Sequence, residues 1–235
     1  MERIKVESVS YSYQNKYQTV EAVKEVTCTF ETGKMYVITG ESGSGKSTFL
    51  SLLAGLDIPK NGTITVDGED LSRIDRDAYR REKVAVIYQA FHLFPLLTAL
   101  ENVMYPLEIQ GVARKEARER AEEYLKEVGS DEKKFGKYPR MMSGGEQQRT
   151  AVARAMASGG RILLADEPTG NLDTENEEKI VELLISLAHD RDFTVIMVTH
   201  NRQIAERADV RLVMKDGRMQ VLSERDVSIT GLAGQ

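Results

Sequence analysis

The chain has 235 residues, of which 41% are hydrophobic and 29% charged, and its formal net charge is −5. This balance is typical of a soluble globular protein with a sizeable core, and the net negative charge argues against a broad nucleic-acid-binding surface. No apolar run approaches the roughly 18 residues needed to span a bilayer, and the N-terminus lacks the apolar core of a secretion signal. The single cysteine, Cys28, cannot form an internal disulfide, so we expect a cytoplasmic protein.

The first third of the chain has the pattern of β-strands separated by tight turns. Residues 3–9 and 20–30 predict two strands, and a loop is expected at 11–17. A third, short strand is predicted at 63–66, directly after the turn signal Asn61-Gly62. These features favour a small antiparallel sheet.

Between these strands lies a stretch typical of a phosphate-binding loop. Residues 35–39 predict a buried strand, residues 49–54 continue as a helix, and the intervening segment fits the pattern G-x-x-x-x-G-K-[ST]. Its glycines let backbone N–H groups converge where the helix N-terminus adds partial positive charge. A Gly/Ser-rich turn is the simpler alternative, but the lysine in register favours phosphate binding. The predicted binding residues are Gly40, Ser42, Gly43, Ser44, Gly45, Lys46, Ser47 and Thr48.

The middle of the chain changes from strand to helix patterns. An apolar strand at 84–88 ends at Gln89, after which helices are predicted at 99–107, ending near Pro106, and at 114–128 and 145–157. We expect an inserted helical subdomain. Apolar residues directly follow Gln89; they are either buried packing or a groove that receives a helix of a partner protein. They are Phe91, Leu93, Phe94, Pro95 and Leu96.

Two further apolar strands end at residues suited to nucleotide chemistry. The strand 161–166 delivers Asp166 and Glu167, and the strand 193–199 ends at His200. Ligands of open α/β sheets bind at the carboxyl ends of strands, so Asp166 suits a Mg²⁺ site and Glu167 suits polarising a water. An Asp-Glu pair that caps the following helix is the alternative. A closing hairpin is expected from 210 onward.

A second possible phosphate-binding device occurs at Ser143-Gly144-Gly145, directly before a helical run. Free N–H groups and a hydroxyl at a helix N-terminus suit an anion. Taken alone, the pattern is equally consistent with a helix cap at Ser143.

Together these motifs resemble the ATP-binding subunit of an ABC transporter over nearly the whole chain. Residues 40–48 match Walker A, 162–166 match Walker B and 171–173 match the D-loop. Residues 142–146 match the signature, with Met142 in place of the usual leucine. Gln89 and His200 stand at the Q-loop and switch positions. Residues 88–95, 98–103 and 165–173 further resemble the branch of lipoprotein-release, macrolide-export and antimicrobial-peptide-resistance ATPases.

The resemblance implies an α/β fold: a P-loop NTPase core with a mostly parallel sheet, an N-terminal antiparallel β subdomain and an inserted helical signature subdomain. It implies one ABC ATPase domain over 1–235, with 1–88 and 159–235 forming the core and 89–158 the helical subdomain. The implied cofactors are ATP and Mg²⁺. Tyr13 would stack on adenine, although Tyr11 and Tyr17 are close enough to compete.

The resemblance also implies roles and partners. Glu167, His200 and Gln89 would be catalytic, and the metal ligands would be Ser47, Gln89 and Asp166. The signature residues Ser143, Gly144 and Gly145 would act on the ATP of a second copy in a homodimer. An integral membrane permease would hold the subunit peripherally on the inner face of the membrane, and no nucleic-acid partner is expected. The alternatives are a soluble ABC-type ATPase acting on DNA or ribosomes, and a regulatory module without catalysis.

Overall fold

The computed structural model describes residues 1–14 and 18–224, which contain two β-sheets and seven α-helices. A six-stranded sheet has the order β10-β9-β3-β8-β7-β6 and is parallel except for the edge strand β10. Its strands are β3 (Met35–Thr39), β6 (Val84–Tyr88), β7 (Ile162–Asp166), β8 (Thr194–Val198), β9 (Val210–Lys215) and β10 (Arg218–Glu224).

The central strands are parallel and buried on both faces, which explains their uninterrupted apolar sequences. In the parallel register Tyr88 pairs with Asp166, and Asp166 pairs with Val198. The carboxyl ends of β6, β7 and β8 therefore lie at one edge of the sheet, where Gln89, Glu167 and the turn that leads to His200 follow them.

A four-stranded antiparallel sheet has the order β2-β1-β4-β5. Its strands are β1 (Glu2–Gln14), β2 (Thr19–Glu31), β4 (Asn61–Val66) and β5 (Glu69–Asp70). The predicted loop at 11–17 is wrong for residues 11–14, because β1 continues to Gln14. Register shifts between Val6 and Val9 and a left-handed Ser8 (φ 49°) break the sequence alternation without ending the strand.

Cys28 lies on β2, opposite Val6 of β1, and packs against the apolar core. Burial raises the pKa of its thiol to about 12. A raised pKa lowers the fraction of reactive thiolate at neutral pH.

The helices follow their predicted positions closely, with one exception. Helix α3 was expected to end near Pro106 but continues to Ile109 with the proline inside it. Pro106 lacks an N–H, yet its carbonyl still accepts from Gln110 N at 3.2 Å, and the buried face of the helix keeps packing beyond it. The helices are α1 (Lys46–Leu53), α2 (Arg76–Glu82), α3 (Ala99–Ile109), α4 (Arg114–Glu127), α5 (Gly144–Ala157), α6 (Thr174–Arg191) and α7 (Arg202–Ala205).

The six-stranded sheet divides the core into two apolar clusters. Because side chains alternate along a strand, Met35 and Val37 join the cluster with α3–α6, whereas Tyr36 and Ile38 join the cluster with α1 and the antiparallel sheet. Helices α3, α4 and α5 pack on one another beside the first cluster. Among residues 1–14 and 18–224, no helix has the length and apolarity required to cross a membrane.

Candidate functional site

The loop between β3 and α1 has a backbone that only glycine can adopt at two positions. Gly40 and Gly45 have φ of 152° and 105°. A Cβ on Gly40 would lie 2.2 Å from Met214 O, and one on Gly45 would lie 2.0 Å from Ala22 O. The loop thus fits tightly between neighbouring strands, and Gly45, the N-cap of α1, provides no side-chain cap for the first N–H groups of the helix.

Lys46 lies inside this loop. Its ammonium donates to Gly40 O at 2.8 Å and to Glu41 O at 2.7 Å, and its Nζ lies 3.5 Å from Ser44 Oγ. The residue is 8% exposed. A buried cation held only by neutral oxygens is attractive to an anion, so a phosphate entering the loop would meet a positioned positive charge.

The two consecutive carboxylates at the end of β7 lie in different environments. Burial raises the pKa of Asp166, a hydrogen bond from the Ser47 hydroxyl opposes this, and the charge of Glu167 raises the pKa further. Asp166 and Ser47 therefore present two oxygen ligands side by side. Such hard oxygen donors are the ligands that Mg²⁺ prefers.

Glu167 has a left-handed backbone, with φ of 48°. Its N–H donates to Val198 O at 3.0 Å, and its Oε2 lies 3.5 Å from Nδ1 of His200. The His200 side chain is 71% exposed. The bend turns the carboxylate away from the strand direction and towards the loop, where a non-glycine residue in this conformation is a mark of functional constraint.

Lys46, Ser47, Glu167 and His200 line one cleft of about 460 Å³, whereas Asp166 lies behind its lining and reaches it through Ser47. The tyrosine at its rim is Tyr13, whose hydroxyl lies 3.1 Å from Thr48 Oγ1. Tyr11 packs edge-on against Tyr13, with ring centroids 5.1 Å apart, and donates instead to Asp57; Tyr17 lies outside the described residues. The lining residues are Tyr13, Val20, Glu21, Ala22, Gly40, Ser42, Gly43, Gly45, Lys46, Ser47, Thr48, Glu167 and His200.

Gln89 does not line this cleft. Its Nε2 lies 3.5 Å from Asn171 Oδ1, and its backbone carbonyl accepts from Asn171 Nδ2 at 3.0 Å. The side chain therefore lies against the segment that follows β7. Sequence reasoning identified Gln89 and Asn171 separately and did not anticipate that they bind each other.

The predicted signature residues also lie outside the cleft. Ser143 caps α5 by accepting from Glu146 N, while Ser143 N donates to the Glu146 carboxylate. A Cβ on Gly145 would lie 2.3 Å from Asn176 Oδ1, so this glycine permits close packing against α6. A single chain does not bring Ser143, Gly144 and Gly145 to the phosphate loop.

Two lysines that sequence reasoning missed bind the capping carboxylate. Lys134 and Lys137 lie 2.8 Å and 3.5 Å from Glu146 oxygens. The hydrogen bond from Lys134 is the largest cause of a lowered pKa at Glu146. Their positive charges adjoin the N-terminus of α5, and a lysine-rich stretch before the signature is the sequence signal that could have identified them.

Comparison with known proteins identifies the family. A family model described as "ABC transporter" matches residues 23–170. The chain belongs to the ABC transporter family. It is 41% identical over 221 residues to the uncharacterized ABC transporter ATP-binding protein YclH of Bacillus subtilis, spanning 94% of this chain and 97% of that protein.

Other members of the ABC transporter family extend this relationship. The chain is 40% identical over 224 residues to the macrolide export ATP-binding/permease protein MacB of Brucella melitensis, but it covers 34% of that longer protein. The dimeric structure of MJ0796, a bacterial ABC transporter cassette, aligns with a TM-score of 0.86 at 37% identity, covering 97% of this chain and all of that one. A post-hydrolysis state of MJ0796 bound to ADP and Pi aligns with a TM-score of 0.85 at 36% identity, covering 94% of this chain and 100% of that one.

Three predictions from the sequence are thereby confirmed. The chain is an ABC-type cassette, its fold is the α/β fold of the P-loop NTPases, and it is the ATP-hydrolysing, transport-coupled component of its family.

Proposed function

We propose that this chain hydrolyses ATP in the cleft between the loop after β3 and the end of β7, and transmits the resulting motion to a membrane permease. The observation that carries the proposal is the position of Lys46, Glu167 and His200 around one cleft. We assign the chain to a single ATPase domain over 1–235, with core segments 1–88 and 159–235 and a helical signature subdomain at 89–158.

Nucleotide binding uses the rim and the floor of the cleft. Tyr13, 48% exposed, offers a ring face for the adenine base. Backbone N–H groups of the loop and the start of α1 bind the phosphates, and the Lys46 ammonium exchanges its loop carbonyls for phosphate oxygens. The phosphate-binding set is Gly40, Ser42, Gly43, Ser44, Gly45, Lys46, Ser47 and Thr48.

A Mg²⁺ ion fits beside these phosphates. Ser47 and Asp166 already share a hydrogen bond, which brings a hydroxyl and a carboxylate oxygen together. Gln89, at the end of the adjacent strand β6, would add an amide oxygen by exchanging its contact with Asn171 for the ion. The bound ion would neutralise charge on the phosphates. The described residues hold no group of three or more His, Cys, Asp or Glu side chains able to bind a metal by themselves, which suits an ion bound mainly through phosphate and water.

Hydrolysis requires a base and a phosphate contact. Glu167 polarises the attacking water and accepts its proton, while His200 holds the γ-phosphate. Their separation of 3.5 Å keeps both groups beside the same phosphate.

Ser143, Gly144 and Gly145 complete the site in a second copy of the chain. They lie outside the cleft of their own chain, and the similar cassette MJ0796 is described as dimeric. Two chains would thus enclose two ATP molecules, each between one chain's loop and its partner's signature.

The test is the Glu167→Gln variant, which keeps the side-chain shape but loses the base. We expect it to elute as a dimer in size-exclusion chromatography with ATP and Mg²⁺, and as a monomer without nucleotide. Glu178→Gln is the matched control, because Glu178 pairs only with Arg207 on the surface. A Glu167→Gln variant that stays monomeric with ATP contradicts the dimeric site.

The permease would bind an apolar groove of about 410 Å³ beside α2, α3 and α5. Exposed rings of Phe94 and Tyr105, 40% and 41% exposed, line it together with exposed Ile109. In the apolar stretch after β6, Phe94 and Leu96 are 40% and 85% exposed, which favours a docking surface over buried packing, and Phe94 is the member of that stretch that lines the groove. Binding there would hold the subunit peripherally on the inner membrane face.

Co-purification separates this function from an ATPase acting on DNA or ribosomes. We expect a permease to co-purify from solubilised membranes with the wild-type chain and with Ile58→Glu, an equally exposed residue outside the groove. Tyr105→Glu should lose the permease while keeping ATPase activity. Recovery of ribosomes or DNA in place of a permease would overturn the proposal.

A further inference from the structure

The loop that follows β6 has an unusual backbone. Phe91 and His92 have φ of 61° and 46°, so two consecutive non-glycine residues are left-handed. Such residues are uncommon and persist only where the surrounding structure fixes them. Contacts from outside the loop 89–92 must therefore stabilise this backbone conformation.

The side chain of Arg154, on α5, makes these stabilising contacts. Its Nη1 donates to His92 O at 2.7 Å and its Nη2 donates to Phe91 O at 3.3 Å. Its guanidinium carbon lies 5.6 Å from the centroid of the Phe94 ring. A planar guanidinium can bind two neighbouring oxygens with one rigid group, so a single side chain fixes both left-handed residues and the ring that follows them.

No carboxylate competes for this arginine. Within residues 1–14 and 18–224, no carboxylate oxygen lies within 4.0 Å of Arg154, and burial lowers the pKa of its guanidinium. Partly buried charges are normally paired with an opposite charge. Here the partners are the loop carbonyls and an aromatic face, which indicates that holding the loop is the role of the side chain.

The first residue of the loop, Gln89, is bound by Asn171 of the segment that follows β7. Asn171 Nδ2 donates to Gln89 O at 3.0 Å, and Gln89 Nε2 lies 3.5 Å from Asn171 Oδ1. A Cβ on Gly170 would lie 2.7 Å from Gln89 Nε2, so the amide has little lateral freedom. Gln89 thus lies at one end of a short segment whose other end is bound to α5.

We propose that Arg154 is a positioning residue that fixes the loop 89–92, and through it the Gln89 amide, for its contact with the metal bound beside ATP. The inference rests on the proposed function, because Gln89 is assigned there as a metal ligand. Arg154 lies 11 residues after Ser143 in the same helix, a distance of about 16 Å along the axis. A displacement of α5 at the signature would therefore also move the loop that carries Gln89, through the contacts of Arg154.

The test compares Arg154→Lys with Arg161→Lys. Arg161 makes the same two kinds of contact elsewhere: its Nη1 donates to Arg191 O at 3.2 Å, and its guanidinium lies 5.0 Å from the Phe193 ring. A lysine keeps the charge but cannot bind two carbonyls with one planar group. We expect Arg154→Lys to raise the Mg²⁺ concentration for half-maximal ATPase activity about tenfold. Its affinity for ATP in EDTA should stay at the wild-type value, and Arg161→Lys should change neither quantity.

A double variant tests whether the effect passes through Gln89. In a Gln89→Ala background, adding Arg154→Lys should change the Mg²⁺ requirement less than twofold, because positions acting in series are not additive. A full additional tenfold shift, or a wild-type Mg²⁺ requirement in Arg154→Lys alone, would overturn the inference.

Amide hydrogen exchange over residues 89–94 separates failure of this inference from failure of the proposed function. Arg154→Lys should speed exchange there about tenfold, with no change around residue 193. If exchange rises but Gln89→Ala keeps the wild-type Mg²⁺ requirement, the metal role of Gln89 is wrong. If exchange is unchanged, Arg154 does not hold the loop. Should Arg154→Lys fail to fold, Arg154→Gln, which retains a single donor group, is measured in its place.

Discussion

Helices α1 and α5 both begin at a glycine-rich turn, yet their N-termini are built differently. At α1 the cap is Gly45, which offers no side chain, and the nearest cation, Lys46, occupies the loop itself. At α5 the cap is Ser143, whose hydroxyl accepts from Glu146 N while the Glu146 carboxylate accepts from Ser143 N.

Because of this difference, the N-terminus of α1 is ready to bind an anion, whereas the N-terminus of α5 is an incomplete anion site. The α1 end has no side-chain cap, so a phosphate there competes only with the loop carbonyls that the Lys46 ammonium binds. The α5 end uses its serine to stabilise its own helix, and it carries a carboxylate that would repel a phosphate if Lys134 and Lys137 did not neutralise it. In the proposed function the first site binds ATP within one chain, whereas the second acts on ATP that another chain presents.

The largest effect is expected from Lys46→Ala. Removing a preorganised cation from a phosphate site lowers kcat by about 10²–10³-fold, and we expect that loss in steady-state ATPase assays. Lys60→Ala, an exposed lysine in the turn before β4, should retain wild-type activity. Wild-type turnover in Lys46→Ala would place the phosphates elsewhere.

A pair of glycine variants tests how tightly the α1 loop is fitted. Gly43 and Gly45 both have positive φ, but a Cβ on Gly43 would meet no atom within 4 Å, whereas one on Gly45 would lie 2.0 Å from Ala22 O. Gly43→Ala should destabilise the fold by about 1 kcal/mol, and Gly45→Ala by about 3 kcal/mol or more. Urea unfolding measures both, and equal losses would show that the close approach to Ala22 is not rigid.

At the α5 end, Ser143→Ala separates capping from nucleotide contact. Thr98 forms the same capping box at the start of α3, with Glu101 as its partner, and is the matched control. Both substitutions should cost about 1 kcal/mol of stability. Only Ser143→Ala should also reduce ATPase activity, measured well below the unfolding temperature; equal activities would leave Ser143 as a cap and nothing more.

The smallest change in stability is expected when the ion pairs of Lys134 and Lys137 with Glu146 are removed. Its pKa is lowered in the folded chain, chiefly by the hydrogen bond from Lys134. A lowered carboxyl pKa contributes stability that is present above the unfolded pKa of about 4.3 and is lost as the pH falls through the folded value. Glu146→Gln should therefore be less stable by about 0.5–1 kcal/mol at pH 7, and the difference should shrink on acidification. Glu122→Gln, which removes a surface pair with Arg118, is the control and should lose less stability at pH 7.

Much of the fold could be predicted because local sequence determined it. The apolar runs of β3, β7 and β8 and the three-to-four-residue spacing in α4 are visible without tertiary information. The continuation of β1 to Gln14 was missed, because bulges interrupt the alternation while cross-strand pairing continues. The helix beyond Pro106 was missed because packing of its buried face outweighed a local helix breaker.

The phosphate loop and the end of β7 could be recognised because their chemistry lies in consecutive residues. Arg154 and Asn171 could not be understood in the same way, because their acceptors are backbone carbonyls 62 and 82 residues away along the chain. Because every residue carries a backbone carbonyl, the sequence does not show which carbonyl a distant side chain binds. The one available signal was an arginine among the small apolar residues of α5, from Ala151 to Ala157.

The half-buried Cys28 has a practical consequence for following motion in solution. It is the only cysteine in the chain, and with a thiol pKa of about 12 it is almost entirely protonated at neutral pH. Since the thiolate is the reactive species, maleimide dyes should label Cys28 much more slowly than an exposed cysteine. A cysteine introduced at Leu96, which is 85% exposed, can therefore be labelled selectively without first removing a native thiol. Two such labelled chains would report their approach on ATP binding by energy transfer.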